Sequence, residues 1–368
     1  MKVLLDASGL QNQYTGMCNY ILHVVDALCR GFPEHEYTVI LNPVYEGAGA
    51  FPEEVRVFDR RIEHIGPRRE FKYLALRDAI VREWDVFHCL TEKWPLSMSQ
   101  GVCTIHDLRC FRTNMFGGLS IGKSMYFRLA LRRALAAADK VVTVSRSTRD
   151  DIVKYLGERF SEKLVVVNSG FDSAPKEQSD WGSVSRALGV RAPYLLCVGE
   201  IRQHKNHVGL ISAFQEYARE YSEDALQLVI AGRVSDERLR ARLAAGDSRN
   251  VVFTGYVSDG DLRALYAEAS LFVLLSHVEG FGFPVLEAMS CGLPVLCSNS
   301  TSLREVAGNA AIQVDPSDHH VVAKGIRRAL TNKTVRDELI EEGYNVVKRY
   351  TWEATAKNLM AIYESIFR

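Results

Sequence analysis

Glu279-Gly-Phe-Gly-Phe-Pro-Val-Leu-Glu287 places two carboxylates on either side of a glycine-rich turn. The turn follows the apolar run Leu271 to Leu275 and enters a helix that stops before Gly292. Pro284 suits the first helical position, where its missing N–H is not needed. The amides of Val285 and Leu286 are then open donors at a positive helix end, suited to a diphosphate. Gly280 and Gly282 let the backbone approach a ligand closely. With Glu279 in the loop and Glu287 a turn into the helix, the two acids address different parts of one ligand instead of forming a dyad. That arrangement suits a nucleotide sugar.

Such a loop needs a strand before it and a helix after it, and the chain supplies this alternation throughout. Strands are predicted at Lys2 to Leu5, Tyr37 to Leu41, Val86 to Cys89, Val102 to Ile105, Val141 to Val144 and Leu164 to Val167. Amphipathic stretches such as Tyr20 to Arg30 and Lys123 to Ala138 lie between them. Asn168 to Pro175 gathers turn formers and a proline, which marks a hinge. A second series follows near Tyr194 to Val198, Leu226 to Ala231, Val251 to Thr254, Leu271 to Leu275, Pro294 to Cys297 and Ile312 to Val314. After Asp315-Pro316 the pattern is helical and ends in the amphipathic run Thr351 to Phe367. Alternation of this kind is the signature of doubly wound parallel sheets, which bind ligands at the carboxyl ends of their strands.

A chain of 368 residues exceeds what one hydrophobic core usually holds, so two domains are expected. The balance of 45 Lys plus Arg against 45 Asp plus Glu removes the electrostatic footprint of a dedicated nucleic-acid binder. The eight cysteines form no C-x-x-C pair and several lie in strand-like runs, so they read as reduced and buried, in keeping with a cytoplasmic setting. The apolar start Met1 to Leu5 meets Asp6, Ser8 and Gly9 too soon to form a signal segment. No apolar stretch approaches the roughly 20 residues that span a bilayer, so membrane contact is expected to be peripheral at most.

At this point the sequence resembles the retaining glycosyltransferases of family 4, whose E-x7-E motif matches Glu279 and Glu287. The resemblance takes in Tyr194-Leu-Leu-Cys-Val-Gly199 followed by His204-Lys205-Asn206, then Val252-Phe-Thr-Gly-Tyr256 and Glu287-Ala-Met-Ser-Cys-Gly-Leu-Pro294. Upstream it takes in Thr104-Ile-His-Asp-Leu108, Thr143-Val-Ser145 and the hinge, so it covers nearly the whole chain. It implies that Glu279 contacts the donor sugar, that Glu287 binds the ribose hydroxyls, and that the backbone of Gly280, Phe281 and Gly282 holds sugar hydroxyls. Lys205 matches the lysine that neutralises the donor diphosphate, a task that needs no metal. Arg202 is a candidate for the arginine that relatives carry five positions earlier, where Glu200 stands here. His106, at the end of an apolar strand, matches a histidine that reaches the transferred sugar; the competing reading is a His106–Asp107 structural pair. Gly16 matches the glycine that approaches the donor phosphate, although Gly16-Met-Cys-Asn-Tyr20 lacks the second glycine and the arginine of G-I-G-R-Y.

The same resemblance implies a GT-B type fold, two Rossmann-like domains facing a central cleft. The expected domains are 1–172 for the acceptor, with helix 352–368 packing back onto it, and 173–351 for the donor. The expected activity is metal-independent, retaining transfer of a hexose to a glycan or polyprenyl-linked glycan in cell-surface polysaccharide synthesis, with no cofactor. GDP-mannose is the first donor to test, and a UDP-sugar is open. A nucleotide-sugar epimerase of the same architecture is the rival enzyme, while a dinucleotide oxidoreductase lacks any G-x-G-x-x-G after a strand. Asp259-Gly-Asp261 reads as a helix start capped by Ser258 and not as a metal site. His319 and His320 read as surface residues without ligand spacing. The basic helix Lys123 to Arg133 and the run Arg68, Arg69, Lys72, Arg77 could rest on anionic lipid.

Overall fold

The computed structural model describes the chain apart from residues 12–14, 48–49, 112–120, 173–176, 222–224, 235–238, 240–242, 244–248 and 368, and apart from the side chains of Cys110 and residues 121–124. Part of the hinge run, part of the first loop and the Lys123 side chain therefore lie outside the described residues. The chain divides into two compact units, one formed by Met1–Thr113, Gly118–Gly170 and Tyr350–Arg368, the other by Phe171–Arg349.

In the first unit, strands β1 (Lys2–Asp6), β2 (Glu36–Ile40), β3 (Arg56–Val57), β4 (Val86–Cys89), β5 (Val102–Ile105), β6 (Lys140–Thr143) and β7 (Leu164–Val166) form one sheet ordered β3-β2-β1-β4-β5-β6-β7. All pairings are parallel. β4 and β5 are buried along their whole length, which is why their sequences are mostly apolar rather than alternating, with His88 and Thr104 as their buried polar members. β3 was not anticipated: it is two exposed residues long and sits at the sheet edge, too short for a periodic signal. Helix Gly16–Gly31 opens with Thr15, whose hydroxyl accepts from the Cys18 amide at 3.2 Å, and helix Trp352–Ile366 opens with Thr351, which accepts from the Ala354 amide at 3.2 Å. The two helices pack together. Trp352, Leu359 and Tyr363 are buried, each contributing about 1.5–3 kcal/mol relative to exposure. A Cβ on Gly170 would lie 2.5 Å from the Cα of Trp352, so only glycine permits this approach.

In the second unit, β8 (Tyr194–Val198), β9 (Gln227–Ala231), β10 (Val251–Gly255), β11 (Leu271–Leu274), β12 (Val295–Ser298) and β13 (Ala311–Val314) form a parallel sheet ordered β10-β9-β8-β11-β12-β13. Each sheet reverses direction of growth once, between β1 and β4 in the first unit and between β8 and β11 in the second. Loops leaving two neighbouring strands at such a point open a crevice for ligands. Both units are thus Rossmann-like.

Two surface expectations need correction. Arg69 is fully buried, with its Nη2 2.7 Å from a carboxylate oxygen of Asp6, and Lys72 is paired with Glu63 at 2.9 Å, so neither is an open cation. A buried guanidinium needs its partner, and Asp6 at the end of β1 supplies it. The seven described cysteines are free, and all but Cys291 are buried. Among the described residues no helix is long and apolar enough to cross a membrane.

Candidate active site

The second unit's crevice brings together residues that are far apart in sequence. β8 is followed by Gly199, whose φ of +136° is open only to glycine at low cost, and the chain turns through Gln203–Lys205. β11 ends beside it, and the loop to Gly282 carries Glu279. The two loops are tied by the His277 amide, which donates to the His204 carbonyl at 2.8 Å. Lys205 Nζ consequently lies 2.9 Å from Glu279 Oε1, both side chains 14% exposed. A Cβ on Gly199 would sit 3.1 Å from that ammonium nitrogen.

Glu279 is held from several sides. The Ser276 hydroxyl donates to Oε1 at 2.8 Å, the Glu279 amide donates to Thr301 Oγ1 at 3.2 Å, and the Ser302 hydroxyl donates to the Glu279 carbonyl at 2.9 Å. Burial pulls its pKa up, but the Lys205 charge and hydrogen bond, with help from His204 and Ser276, leave it below the usual glutamate value. Thr301 holds a φ of +55°, a costly conformation for a β-branched residue, and it spends that strain on fixing the Glu279 backbone. Glu287 behaves oppositely. Burial raises its pKa, opposed by the Tyr266 hydroxyl, which donates to Oε2 at 2.7 Å, and by Lys205. The two carboxylates are therefore in different charge environments.

The helix after the loop is Phe283–Ser290, one residue earlier than expected, so Pro284 is its second residue and not its first. Gly282 caps it with φ +110°, and a Cβ there would meet Leu303 Cδ2 at 2.6 Å. The Val285 amide donates to the Gly282 carbonyl at 3.0 Å and is not an open donor. Val285 and Leu286 have fully buried side chains, whereas Gly280 is partly exposed on the loop and Phe281 is buried against Phe283, ring centroids 5.2 Å apart. Arg202 does not join Lys205; its guanidinium is held by Glu200 at 2.6 Å on the surface. Ser258 accepts from the Asp261 amide at 3.2 Å and starts the helix Asp259–Glu268, so Asp259 and Asp261 lie in a capped first turn. His320 is not isolated: Nδ1 lies 3.2 Å from Glu216 and 3.6 Å from Glu220 on a neighbouring helix, a spacing no linear reading could show.

In the first unit, Gly16 is the exposed first residue of its helix, on the loop leaving β1. His106 follows β5 and its Nε2 lies 3.0 Å from the Leu90 carbonyl at the end of β4. Asp107 turns to Arg109 instead, with Nε at 2.9 Å, so no His106–Asp107 pair forms. The half-buried His106 has its pKa lowered by burial, partly offset by the Glu92 carboxylate. Glu92 is bonded to Lys93 at 2.8 Å.

The residues that hold these groups, Tyr266, Ser276, Thr301 and Ser302, were not singled out by sequence. The one available signal was the polar run Ser298-Asn-Ser-Thr-Ser302, which begins at the last residue of a buried strand.

Comparison with known proteins bears on this arrangement. The Glycosyl transferases group 1 model matches residues 185–346, and the Glycosyltransferase Family 4 model matches residues 14–174. O-antigen chain mannosyltransferase B of Escherichia coli is 26% identical over 391 aligned positions, covering 99% of this chain and 100% of that protein. O-antigen chain mannosyltransferase RfbU of Salmonella typhimurium is 29% identical over 286 positions, covering 76% and 74%. Among solved structures, sucrose-phosphate synthase from Thermosynechococcus elongatus aligns with a TM-score of 0.76 at 18% identity, covering 100% of this chain and 99% of that one. HepE of Anabaena, in complex with UDP and glucose, aligns with a TM-score of 0.74 at 18% identity, covering 99% and 100%. These last two likenesses concern the fold, which is GT-B. Two matched regions that between them take in every strand but β1, and a relative aligned along its whole length, show that the chain belongs to the glycosyltransferases of family 4, with a group 1 domain as its second half.

Proposed function

We propose that the protein transfers a hexose, with retention of configuration, from a nucleotide sugar to a glycan or polyprenyl-linked glycan acceptor during cell-surface polysaccharide synthesis. GDP-mannose is the first donor to test, an inference supported by the mannosyltransferase names of one relative aligned along its whole length and one aligned over 76% of this chain. UDP-sugars follow, since HepE is described with UDP. The observation that carries the reading is the Lys205–Glu279 pair at 2.9 Å beside the glycine loop.

On this reading residues 173–351 hold the donor and residues 1–172, with helix 352–368, take the acceptor. Lys205 neutralises the diphosphate, supplying the charge for which other transferases use a metal. Glu279 and the loop Gly280, Phe281, Gly282 orient the sugar, and Glu287 accepts the ribose hydroxyls. Val285 and Leu286 contribute the helix start, Gly16 approaches the phosphate, and Arg202 is an outer cation that must leave Glu200 to take part. His106 serves the transferred sugar. The bond from the sugar anomeric carbon to the diphosphate oxygen breaks, the acceptor oxygen joins that carbon on the same face, and its proton passes to the departing phosphate. No protein base is required.

The setting is the cytoplasm, with peripheral contact at the inner face of the membrane. Phe71 and Leu74, 71% and 61% exposed on helix Pro67–Glu83 beside the exposed Arg68 and Arg77, support that contact.

Titration of GDP, UDP, ADP and dTDP in EDTA tests the donor side, followed by transfer from GDP-mannose. Selective binding of one diphosphate that weakens in Glu287→Ala is expected. Normal transfer by Glu287→Ala at low donor concentration sinks the assignment, and an isomerised sugar formed from donor alone makes the protein an epimerase.

A further inference from the structure

Four buried polar side chains run in sequence beneath His106. Tyr363, on the inner face of helix Trp352–Ile366, has its hydroxyl 2.6 Å from His88 Nδ1 on β4. The other ring nitrogen, Nε2, lies 2.8 Å from Thr104 Oγ1 on β5. Thr104 Oγ1 lies 3.3 Å from the Tyr20 hydroxyl on helix Gly16–Gly31. The Tyr20 ring in turn meets the His106 imidazole edge to face, centroids 4.8 Å apart and planes at 88°. Tyr20, His88, Thr104 and Tyr363 are all fully buried.

Each link restricts the next. Burial, with the neighbouring His106 adding to it, lowers the His88 pKa to about 3, so its imidazole is neutral at working pH and offers one donor and one acceptor. Both are used, so the ring cannot turn without losing two hydrogen bonds. Thr104 is then committed between His88 and Tyr20, and Tyr20 cannot tilt without opening a buried hydroxyl. The face that Tyr20 presents fixes the plane of His106, whose Nε2 is also tied to the Leu90 carbonyl at 3.0 Å.

We propose that Tyr363, His88, Thr104 and Tyr20 act as positioning residues for His106, so that the helix Trp352–Ile366 sets the orientation of the imidazole that serves the transferred sugar. This rests on the assignment of His106 given above. A network that only secured the helix would move stability and leave turnover alone, and that difference is measurable.

The experiment compares Tyr363→Phe, Thr104→Val and Thr104→Ser in the full chain, with Leu359→Ala as a control that cuts packing on the same helix and removes none of the relay's polar groups. The readouts are kcat and donor KM for transfer from GDP-mannose, the affinity for GDP, Tm, and the nitrogen resonances of His106 in histidine-labelled protein. Tyr363→Phe and Thr104→Val should lower kcat about 10- to 100-fold, the range for lost orienting partners and small misplacements. Donor KM and GDP affinity should stay within about twofold of wild type, the margin expected when only the transition state is affected. Thr104→Ser should restore kcat, and the His106 resonances should shift in the two impaired variants only. Unchanged kcat and unchanged His106 resonances in Tyr363→Phe overturn the proposal, as does an equal loss of kcat in Leu359→Ala. Normal turnover by His106→Ala, with GDP binding intact, removes the role of His106 and this proposal with it while leaving the donor site standing.

Discussion

Replacing Lys205 with Met leaves the Glu279 carboxylate in place, 14% exposed, with the Ser276 hydroxyl still donating to it and its paired ammonium gone. Removing one partner of a buried pair costs about 3–5 kcal/mol, because the remaining charge must be held without compensation. For a domain of this size each kcal/mol shifts Tm by about 2–4 °C, so the expected loss is about 6–20 °C at neutral pH. The pH dependence identifies the cause. In wild type the Glu279 pKa lies below its ordinary value of 4.5, so the pair stabilises the fold above that pH and stops doing so as pH falls through the lowered folded-state pKa. Without Lys205, burial is the leading influence and the carboxyl accepts a proton readily, which relieves the variant on acidification. The Tm gap between wild type and Lys205→Met should therefore be largest near pH 7 and narrow as pH falls toward and below 4.5. Differential scanning calorimetry over that range reads it directly. The double variant Lys205→Met with Glu279→Gln, which removes the orphan charge, should recover most of the loss. A gap that is constant with pH, together with no recovery in the double variant, would refute an electrostatic origin and leave lost packing of the lysine stem as the explanation.

Tyr266→Phe removes the hydroxyl that opposes the effect of burial on Glu287, so GDP affinity should begin to fall at a higher pH than in wild type; identical pH midpoints in the two titrations would contradict the role given to Glu287. Gly282→Ala should cost about 1–3 kcal/mol in urea unfolding, since alanine must accept a φ of +110° and displace Leu303; a stability equal to wild type would mean the loop relaxes freely. Phe71→Asp with Leu74→Asp should abolish flotation with vesicles rich in anionic lipid, and wild-type protein that ignores such vesicles would end the membrane reading.

The central parallel strands were legible because they are buried along their length, so largely apolar runs mark them almost to the residue, as at Val86–Cys89 and Val102–Ile105. β3 was not, because two exposed residues carry no period. Glu279 and Glu287 stood out because their spacing is local to one strand, turn and helix. Their partners did not: Tyr266 and Thr301 reach them only through the packing of other elements, and nothing near either residue in sequence announces it. Adjacent residues also misled. His106 and Asp107 look like a pair on paper, but successive side chains leaving a strand diverge, and Asp107 found Arg109. Arg69 read as a surface cation until Asp6, from the first strand, claimed it.

The placement of helix Trp352–Ile366 on the first unit bears on how the chain matures during synthesis. Residues 1–170 leave the ribosome early, yet the helix that covers Tyr20 and His88 is translated only after the whole of Phe171–Arg349. Domains tend to fold in order as they emerge, at about 5–20 residues per second, so the first unit waits on the order of ten seconds or more with the groove for that helix uncovered. The second unit, whose strands are contiguous, can be complete in that interval. Nascent chains should accordingly show a protease-resistant second half before the first becomes resistant, the reverse of their order of translation.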